Sequence, residues 1–225
     1  MRTAAAPAAS GLARSMPSIS YVTFASCYVY SPRATGWVAL SSRLMCEQVK
    51  ASDPLRLARY AACVYRRSLQ DVRFGDLFRR GAALVPVPGS ARTDDAPWTA
   101  LALAIALSEV GFALPVWIGL RRRYGVTKSA TAPSTARPSV YAHYDSFAAV
   151  PATMPVQRVV LIDDVITKGR TLLAAAARLR SVLPHADIRA FALIRTQGFA
   201  HRIEHLVEPC HGVIRWAGGD ARRDP

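Results

Sequence analysis

Four apolar residues followed at once by two carboxylates constrain the fold of this chain more than any other feature. Val159 to Ile162 carry no charge and three of the four are β-branched, which predicts a strand buried on both faces of a sheet. A buried strand cannot carry carboxylates through its middle, because an unpaired buried charge is costly. We therefore expect Asp163 and Asp164 at the carboxyl end of the strand, in the crevice where open α/β sheets bind ligands.

The next residues predict a turn that opens a helix. Thr167, Lys168, Gly169, Arg170 and Thr171 form the predicted turn, and apolar residues at helical spacing follow it. The start of a helix presents backbone N–H groups that have no partner within the helix, and these groups suit a phosphate. The turn is therefore a candidate anion site.

The thirteen residues from Val159 to Thr171 resemble the phosphoribosyl pyrophosphate (PRPP) signature of type I phosphoribosyltransferases. In that family, four apolar, two acidic and two apolar residues precede Thr, a variable residue, Gly, a second variable residue and Thr. The chain fits at every ordered position, and Lys168 stands where many members have a small or hydroxyl residue. A long ordered motif is more specific than a lone glycine-rich match. The competing interpretation is a buried strand followed by an ordinary acidic turn.

A second apolar run ends in prolines and a glycine. Ala82 to Pro88 predicts another buried strand, and Pro88, Gly89 and Ser90 predict a sharp turn after it. With Arg92, this turn offers an approachable backbone, a hydroxyl and a cation, which are the groups that a diphosphate needs. The run LVPVP, with the small residue, Ser and base that follow, resembles the start of the pyrophosphate loop in the ComF competence-protein branch of the same family. A proline-terminated strand with a plain turn is the alternative.

The resemblance implies an α/β fold with a central, mainly parallel sheet flanked by helices and a flexible hood loop. The alternation of strands and helices from 82 to 194 also predicts a parallel sheet. The hood would be the segment from Val110 to Tyr144, which holds no acidic residue and whose second part is basic and rich in Gly and Pro. In the family, such a hood closes over the pyrophosphate and excludes water. A solvated Arg-rich loop with no catalytic duty is the alternative.

Local patterns predict further elements. The aromatic and β-branched run from Tyr21 to Tyr30 predicts a strand at an edge of the sheet. Ser41 to Val49 and Pro54 to Leu69 have helical periodicity. Ala113 to Ile118 predicts a short strand, and the aromatic residues between Tyr141 and Phe147 are compatible with a returning hairpin strand.

The resemblance also gives the candidate residues their roles. Asp163 and Asp164 would be the catalytic pair, accepting the ribose hydroxyls and stabilising the positive charge that builds on the ribose as pyrophosphate leaves. The turn from Thr167 to Thr171 would bind the 5-phosphate, and the loop from Pro88 to Ser90 with Arg92 would bind the pyrophosphate. Two carboxylates beside a pyrophosphate would repel it, so we expect Mg²⁺ as the cofactor. We assign no separate metal site, since substrate oxygens would hold most of the ion, with the two aspartates as candidate protein ligands.

We therefore expect a Mg²⁺-dependent phosphoribosyltransferase of nucleotide metabolism, which transfers the phosphoribosyl group of PRPP to an acceptor and releases pyrophosphate. The sequence does not name the acceptor, and a nucleobase is one candidate. The alternative is a non-catalytic PRPP-binding or nucleic-acid-handling protein of the ComF type. The formal charge of +14 favours anionic partners, although 26 of the 29 basic residues are arginine, as codon usage in a GC-rich genome would also give. The N-terminal cysteine-rich zinc module of ComF has no counterpart here, which weakens any inherited role in DNA uptake.

Length and composition fit one globular domain. The chain has 225 residues, of which 51% are hydrophobic and 20% charged. We expect residues 1–20, rich in Ala, Ser and Pro, to be a disordered tail. Residues 21–225 would then form a single phosphoribosyltransferase-like domain with its core at about 80–200. A transit peptide, or a start site placed too early, would give the same N-terminal composition.

Cysteine usage and hydropathy predict a cytoplasmic protein without a membrane segment. The cysteines at 27, 46, 63 and 210 form no C-x-x-C pair, and no run of 18 apolar residues occurs. The sequence leaves a homodimer open. His201 to His205 matches the H-x-x-E-H pattern of inverted zinc peptidases, but Gly198 and Pro209 leave little room for the helix that such a site needs, so we predict no metal there.

Overall fold

The computed structural model describes residues 19–91, 98–127, 137–153 and 155–225. Most of the predicted N-terminal tail, the candidate Arg92 and residues 128–136 of the predicted hood lie outside these ranges. The strands are β1 (Tyr21–Tyr30), β2 (Ala82–Pro86), β3 (Leu120–Arg122), β4 (Phe147–Ala149), β5 (Arg158–Ile166), β6 (Asp187–Thr196), β7 (Val207–Ala217) and β8 (Asp220–Asp224). The helices are α1 (Trp37–Lys50), α2 (Pro54–Gln70), α3 (Val72–Leu77), α4 (Thr99–Leu107), α5 (Val140–Ser146) and α6 (Arg170–Arg180), with a π-helical turn at Ser108–Phe112.

Six of the strands in the described ranges form one sheet in the order β2-β5-β6-β1-β7-β8. The first four are parallel to one another, whereas β7 is antiparallel to β1 and β8 is antiparallel to β7. Parallel strands need a crossover connection, and the helices between them supply it. The predicted α/β class with a mainly parallel sheet is therefore confirmed.

Two apolar cores lie on opposite faces of this sheet. Residues of α1, α2, α3 and α4 share one core with Val160 and Ile162 of β5. Residues of α5 and α6 share the other core with Val159 and Leu161. Successive strand residues point to opposite faces, so this alternation places helices on both sides of β5. None of the helices in the described part of the chain is long and apolar enough to cross a membrane.

Strand β5 is longer than its apolar run. Val159 to Ile162 have no exposed surface, as predicted, but the strand continues through both aspartates to Ile166. The two carboxylates are tolerated because β2 pairs with β5 only as far as Ile162, opposite Pro86. Asp163 and Asp164 therefore lie inside the strand but beyond the end of its neighbour.

Strand β1 lies inside the sheet, which makes its predicted edge position wrong. It pairs with β6 on one side and with β7 on the other. Both partners come more than 150 residues later in the chain, so no local pattern indicates them. Pairing on both sides agrees with the burial of Phe24 to Val29 on both faces of the sheet.

Two other predictions differ from the structure. Ala113 to Ile118 is no strand, because only an isolated bridge joins Val116 to Leu84 and Ala113 has a positive φ of 51°. The aromatic segment from Tyr141 is helical up to Ser146, and its helix α5 begins where the Ser139 hydroxyl accepts the Ala142 N–H at 3.1 Å. Only the strand β4 returns from it, pairing antiparallel with β3. The described part of the predicted hood thus contains β3 and the first residues of α5.

Candidate functional site

The candidate site lies where the parallel strands end. Because β2, β5 and β6 run in the same direction, their carboxyl ends meet at one edge of the sheet. The loop after β2 reaches that edge beside Ile162, whose carbonyl accepts the Val87 N–H at 2.9 Å. The Thr167 hydroxyl, after β5, lies 3.1 Å from the hydroxyl of Thr196 at the end of β6. All the predicted site residues that the structure describes belong to this edge.

Asp163 and Asp164 are half-buried, and nearby positive charge offsets only part of the cost of burying their charges. The Asp164 N–H donates to Asp163 Oδ1 at 2.9 Å, so one carboxylate folds back on the backbone of the next residue. Burial, and then the negative charge of Asp164, raise the pKa of Asp163 well above its usual range. The positive charge of Arg122 opposes this rise in pKa only in part. A bound cation, or hydroxyl groups that donate hydrogen bonds, would stabilise the ionised form of the two carboxyl groups.

The loop after β2, Pro86 to Ser90, is anchored through its backbone carbonyls. The Trp98 indole N–H donates to the Val87 carbonyl at 2.8 Å. Arg122 Nε donates to the Gly89 carbonyl at 2.8 Å, and the Val126 N–H donates to the Ser90 carbonyl at 2.9 Å. Gly89 itself is exposed, and a Cβ placed on it would meet only open space. Anchors from β3 and the segment after it thus hold the loop while leaving its outer surface open.

Arg122 is the central anchor, and the sequence analysis assigned it no role of its own. It is 9% exposed, and besides Gly89 it donates to the Ser146 hydroxyl. Its guanidinium lies 3.3 Å from Nδ1 of His143 and 4.1 Å from the centre of the Phe147 ring. Burial lowers the pKa of Arg122 to about 10, against the charge of Asp163. The strand β3 turns Arg122 inward and Arg121 outward, and nothing in the run of three arginines indicates which of them is buried.

The turn after β5 depends on a glycine. Gly169 has a φ of 85° and precedes the first residue of α6. A Cβ at this position would come within 2.7 Å of the Ile214 side chain, so both the backbone angle and the close approach require glycine. Because α6 begins at Arg170, Arg170 and Thr171 belong to the first helical turn, whose N–H groups have no partner within the helix. Thr167 and Lys168 are exposed.

The two basic residues of this turn are held by a carboxylate from β8. Asp220 Oδ1 accepts Arg170 Nε at 2.5 Å, and its Oδ2 accepts Arg170 Nη2 at 2.7 Å. Lys168 Nζ lies 3.3 Å from Oδ2 of the same residue. Hydrogen bonding to Arg170 holds the pKa of Asp220 well below its usual range. The sequence analysis predicted Lys168 and Arg170 as ligands of substrate and did not identify β8 at all.

A further arginine of β8 lies under the strand ends. Arg223 donates to the Ile166 carbonyl at 3.0 Å and to the Thr196 carbonyl at 2.7 Å. Burial, and then the charge of Arg195, lower its pKa. Arg195 itself is buried and pairs with Glu208 of β7. The late strands β7 and β8 thus add charged groups to an edge that β2, β5 and β6 define.

The H-x-x-E-H match at 201–205 lies apart from this arrangement. The segment that holds His201 and His205 is irregular, so neither histidine has the helical context that a zinc peptidase motif needs. In the described ranges, no group of three or more His, Cys, Asp or Glu side chains is placed to hold a metal ion.

Comparisons with known proteins add no relative: no protein-family model matches the chain, and no curated protein matches it. The geometry of the strand ends is therefore the basis for assigning a function.

Proposed function

We propose that this chain binds PRPP with Mg²⁺ and transfers its phosphoribosyl group to an acceptor, with release of pyrophosphate. One observation carries the proposal. Asp163 and Asp164 extend beyond the end of β2, with the anchored loop Pro86 to Ser90 on one side, and a turn that requires glycine opens α6 directly after them. The pKa of Asp163 is raised by burial and by Asp164, which is a common property of carboxyl groups at ligand sites.

Each part of PRPP has a chemically matched part of the edge. The 5-phosphate is an anion, and the first N–H groups of α6 with the hydroxyls of Thr167 and Thr171 can bind it. The loop from Pro88 to Ser90 offers the exposed backbone of Gly89 and the Ser90 hydroxyl for the pyrophosphate, with Arg92 as the cation that the sequence adds. The ribose hydroxyls are donors, and the carboxylates of Asp163 and Asp164 accept from donors.

The acidic pair also fits Mg²⁺ by its donor chemistry. Mg²⁺ prefers oxygen ligands and keeps several bound waters or substrate oxygens, so two carboxylates and a pyrophosphate suffice. Asp163 and Asp164 are the residues that would hold it, and the bound ion would neutralise charge on the pyrophosphate. A nearby cation would also oppose the rise in the Asp163 pKa, because it favours the ionised carboxyl.

The reaction needs negative charge where the acidic pair lies. When the bond between ribose C1 and the pyrophosphate oxygen breaks, both electrons leave with the pyrophosphate and C1 becomes positively charged. The acceptor atom then supplies the electron pair of the new bond to C1. Fixed carboxylates near the ribose stabilise that positive charge at no cost in reorganisation.

Calorimetry with PRPP and Mg²⁺ tests the proposal. We expect saturable heat at micromolar to millimolar PRPP, and none with ribose alone, because the anionic groups supply most of the contacts. No heat from a folded sample at millimolar PRPP would refute the proposal. A screen of pyrophosphate release against pooled nucleobases would then identify the acceptor class.

A second function, nucleic-acid handling without catalysis, is favoured only by the charge of +14. Binding to single-stranded DNA that weakens steeply with salt would support it, because phosphate contacts release counterions. Binding that is indifferent to salt would count against it.

A further inference from the structure

The carboxylate of Asp220, in β8, contacts both cations of the predicted phosphate turn, Arg170 and Lys168. Asp220 binds Arg170 through two oxygens, at 2.5 and 2.7 Å, and lies 3.3 Å from Lys168. The Ala221 N–H donates to Asp220 Oδ1 at 2.8 Å, so the carboxylate is oriented by its own strand as well. This contact joins residues 50 positions apart and is absent from any local pattern of the turn.

The two ion pairs differ in strength. The Arg170 side chain is 20% exposed and its fork geometry matches the carboxylate, which is the stronger kind of ion pair. The Lys168 side chain is 60% exposed, so solvent screens its contact. Consistent with this order, Arg170 is the main cause that lowers the pKa of Asp220. Asp220 thus neutralises chiefly Arg170.

We propose that Asp220 is an internal competitor for the anion at this turn and so sets its affinity and charge selectivity. The inference rests on the proposed function, because it assumes that the turn binds a phosphate. An incoming phosphate must share Arg170 and Lys168 with Asp220 or displace its carboxylate. A dianionic phosphate competes with a carboxylate better than a monoanion does, so Asp220 would favour dianions.

The guanidinium of Arg170 also contacts the hood side of the site. Arg170 Nη1 also approaches the Pro138 carbonyl, at 3.4 Å, just before α5 begins. Displacement of Asp220 would leave Arg170 with this carbonyl and the ligand as its partners. Asp220 therefore acts as a positioning residue for Arg170 in the absence of ligand, and it does not itself touch the substrate.

Binding by Asp220→Asn tests the inference, with Asp224→Asn as the matched control. Both variants remove one negative charge from β8, but Asp224 pairs with Arg215 and Arg222, away from the turn. Calorimetry with PRPP and Mg²⁺ should give about threefold to tenfold tighter binding for Asp220→Asn, because a unit charge near the anion is gone. The control should stay within about twofold of the wild type, because a separated surface charge is screened. Inorganic phosphate should gain more from Asp220→Asn at mildly acidic pH, where it is mainly a monoanion, than at mildly basic pH, where it is mainly a dianion.

The outcomes separate the inference from the proposed function. If the wild type binds PRPP while Asp220→Asn binds equally well or more weakly, Asp220 is no competitor and the inference is overturned. If the wild type and both variants bind no PRPP, the proposed function fails and the inference fails with it. Thermal melting checks the fold, and Asp220→Ser is the second variant. If Asp220→Asn and Asp220→Ser both unfold, Asp220 is a structural residue, which also overturns the inference.

Discussion

The loop after β2 and the turn after β5 lie at the same edge of the sheet and are held in opposite ways. The loop from Pro86 to Ser90 has no charge of its own among its described residues and receives a buried cation, Arg122, on its carbonyls. The turn from Thr167 to Thr171 contains two cations, Lys168 and Arg170, and β8 brings a carboxylate to them. Each holding residue comes from a different, later part of the chain.

This difference predicts which residues of the site can be substituted without loss of stability. Arg122 is buried and satisfies backbone acceptors, so removing it leaves buried polar groups without partners. Asp220 is partly exposed and opposes charges that water can also solvate. Loss of the first anchor should therefore cost stability, whereas loss of the second should mainly change ligand affinity.

Arg122→Leu should have the largest effect. It removes the donors to Gly89 and Ser146 and the cation on Phe147, and we expect it to lower the free energy of unfolding by about 3 kcal/mol. Urea unfolding measures this loss. Arg121→Leu is the control, because this neighbour is exposed and its loss should cost no more than about 0.5 kcal/mol. Equal losses for both variants would contradict the role of Arg122 as an anchor.

His143, the partner of Arg122, should make the stability of the fold sensitive to acid. Burial, with the charges of Arg122 and Arg170, lowers its pKa to about 3. The unfolded chain, with a pKa of about 6.5, therefore binds the proton first, so stability is lost as pH falls below about 6.5. At pH 5 the loss from this group is about 2 kcal/mol.

Urea unfolding at pH 7 and pH 5 checks this prediction. His143→Gln keeps an acceptor for Arg122 and should lose less stability between these pH values than the wild type does. His185→Gln, at an exposed position, should behave like the wild type. An acid response of His143→Gln as steep as that of the wild type would contradict the prediction.

Asp164→Asn should have an effect of intermediate size, on ligand binding or turnover and not on stability. The amide keeps the shape and removes the charge, and the fold should survive because Asp164 forms no ion pair with any residue in the described ranges. We expect PRPP affinity or turnover to fall about tenfold or more, which is about 1.4 kcal/mol or above. If the variant unfolded while binding in the surviving fraction stayed unchanged, the acidic pair would be structural.

Lys168→Ala should have the smallest effect. Its side chain is 60% exposed, so solvent screens its charge and its contribution to anion binding at the turn is small. We expect PRPP affinity to change by less than about threefold. The same calorimetric titration measures this change, and a tenfold loss would show that Lys168 contacts the ligand directly.

Local patterns in the sequence predicted the elements whose evidence is local. The apolar run of β5, the turn at Gly169, the second strand β2 and the periodic helices α1, α2 and α6 all follow from neighbouring residues. The acidic pair was predicted at the end of its strand, but β5 continues through both carboxylates to Ile166. Where β2 stops pairing decides how far the carboxylates are exposed, and that boundary is a property of two strands.

The missing parts of the site arise from contacts between distant segments. Asp220 and Arg223 belong to a strand whose sequence, DARRD, carries no apolar alternation. Arg122 reads as one of three surface arginines until β3 is placed against the loop after β2. Charge alone could not separate the buried arginine from its exposed neighbours, because burial is set by tertiary packing.

The interior position of β1 bears on how the protein is synthesised. Its neighbours β6 and β7 begin at residues 187 and 207, so the ribosome completes β1 long before it has made either partner. At about 5–20 residues per second, this delay is on the order of ten seconds. During that time, both edges of an aromatic and β-branched strand are open to pairing with other nascent chains. A chaperone that covers residues 21–30 during translation would therefore raise the yield of folded protein.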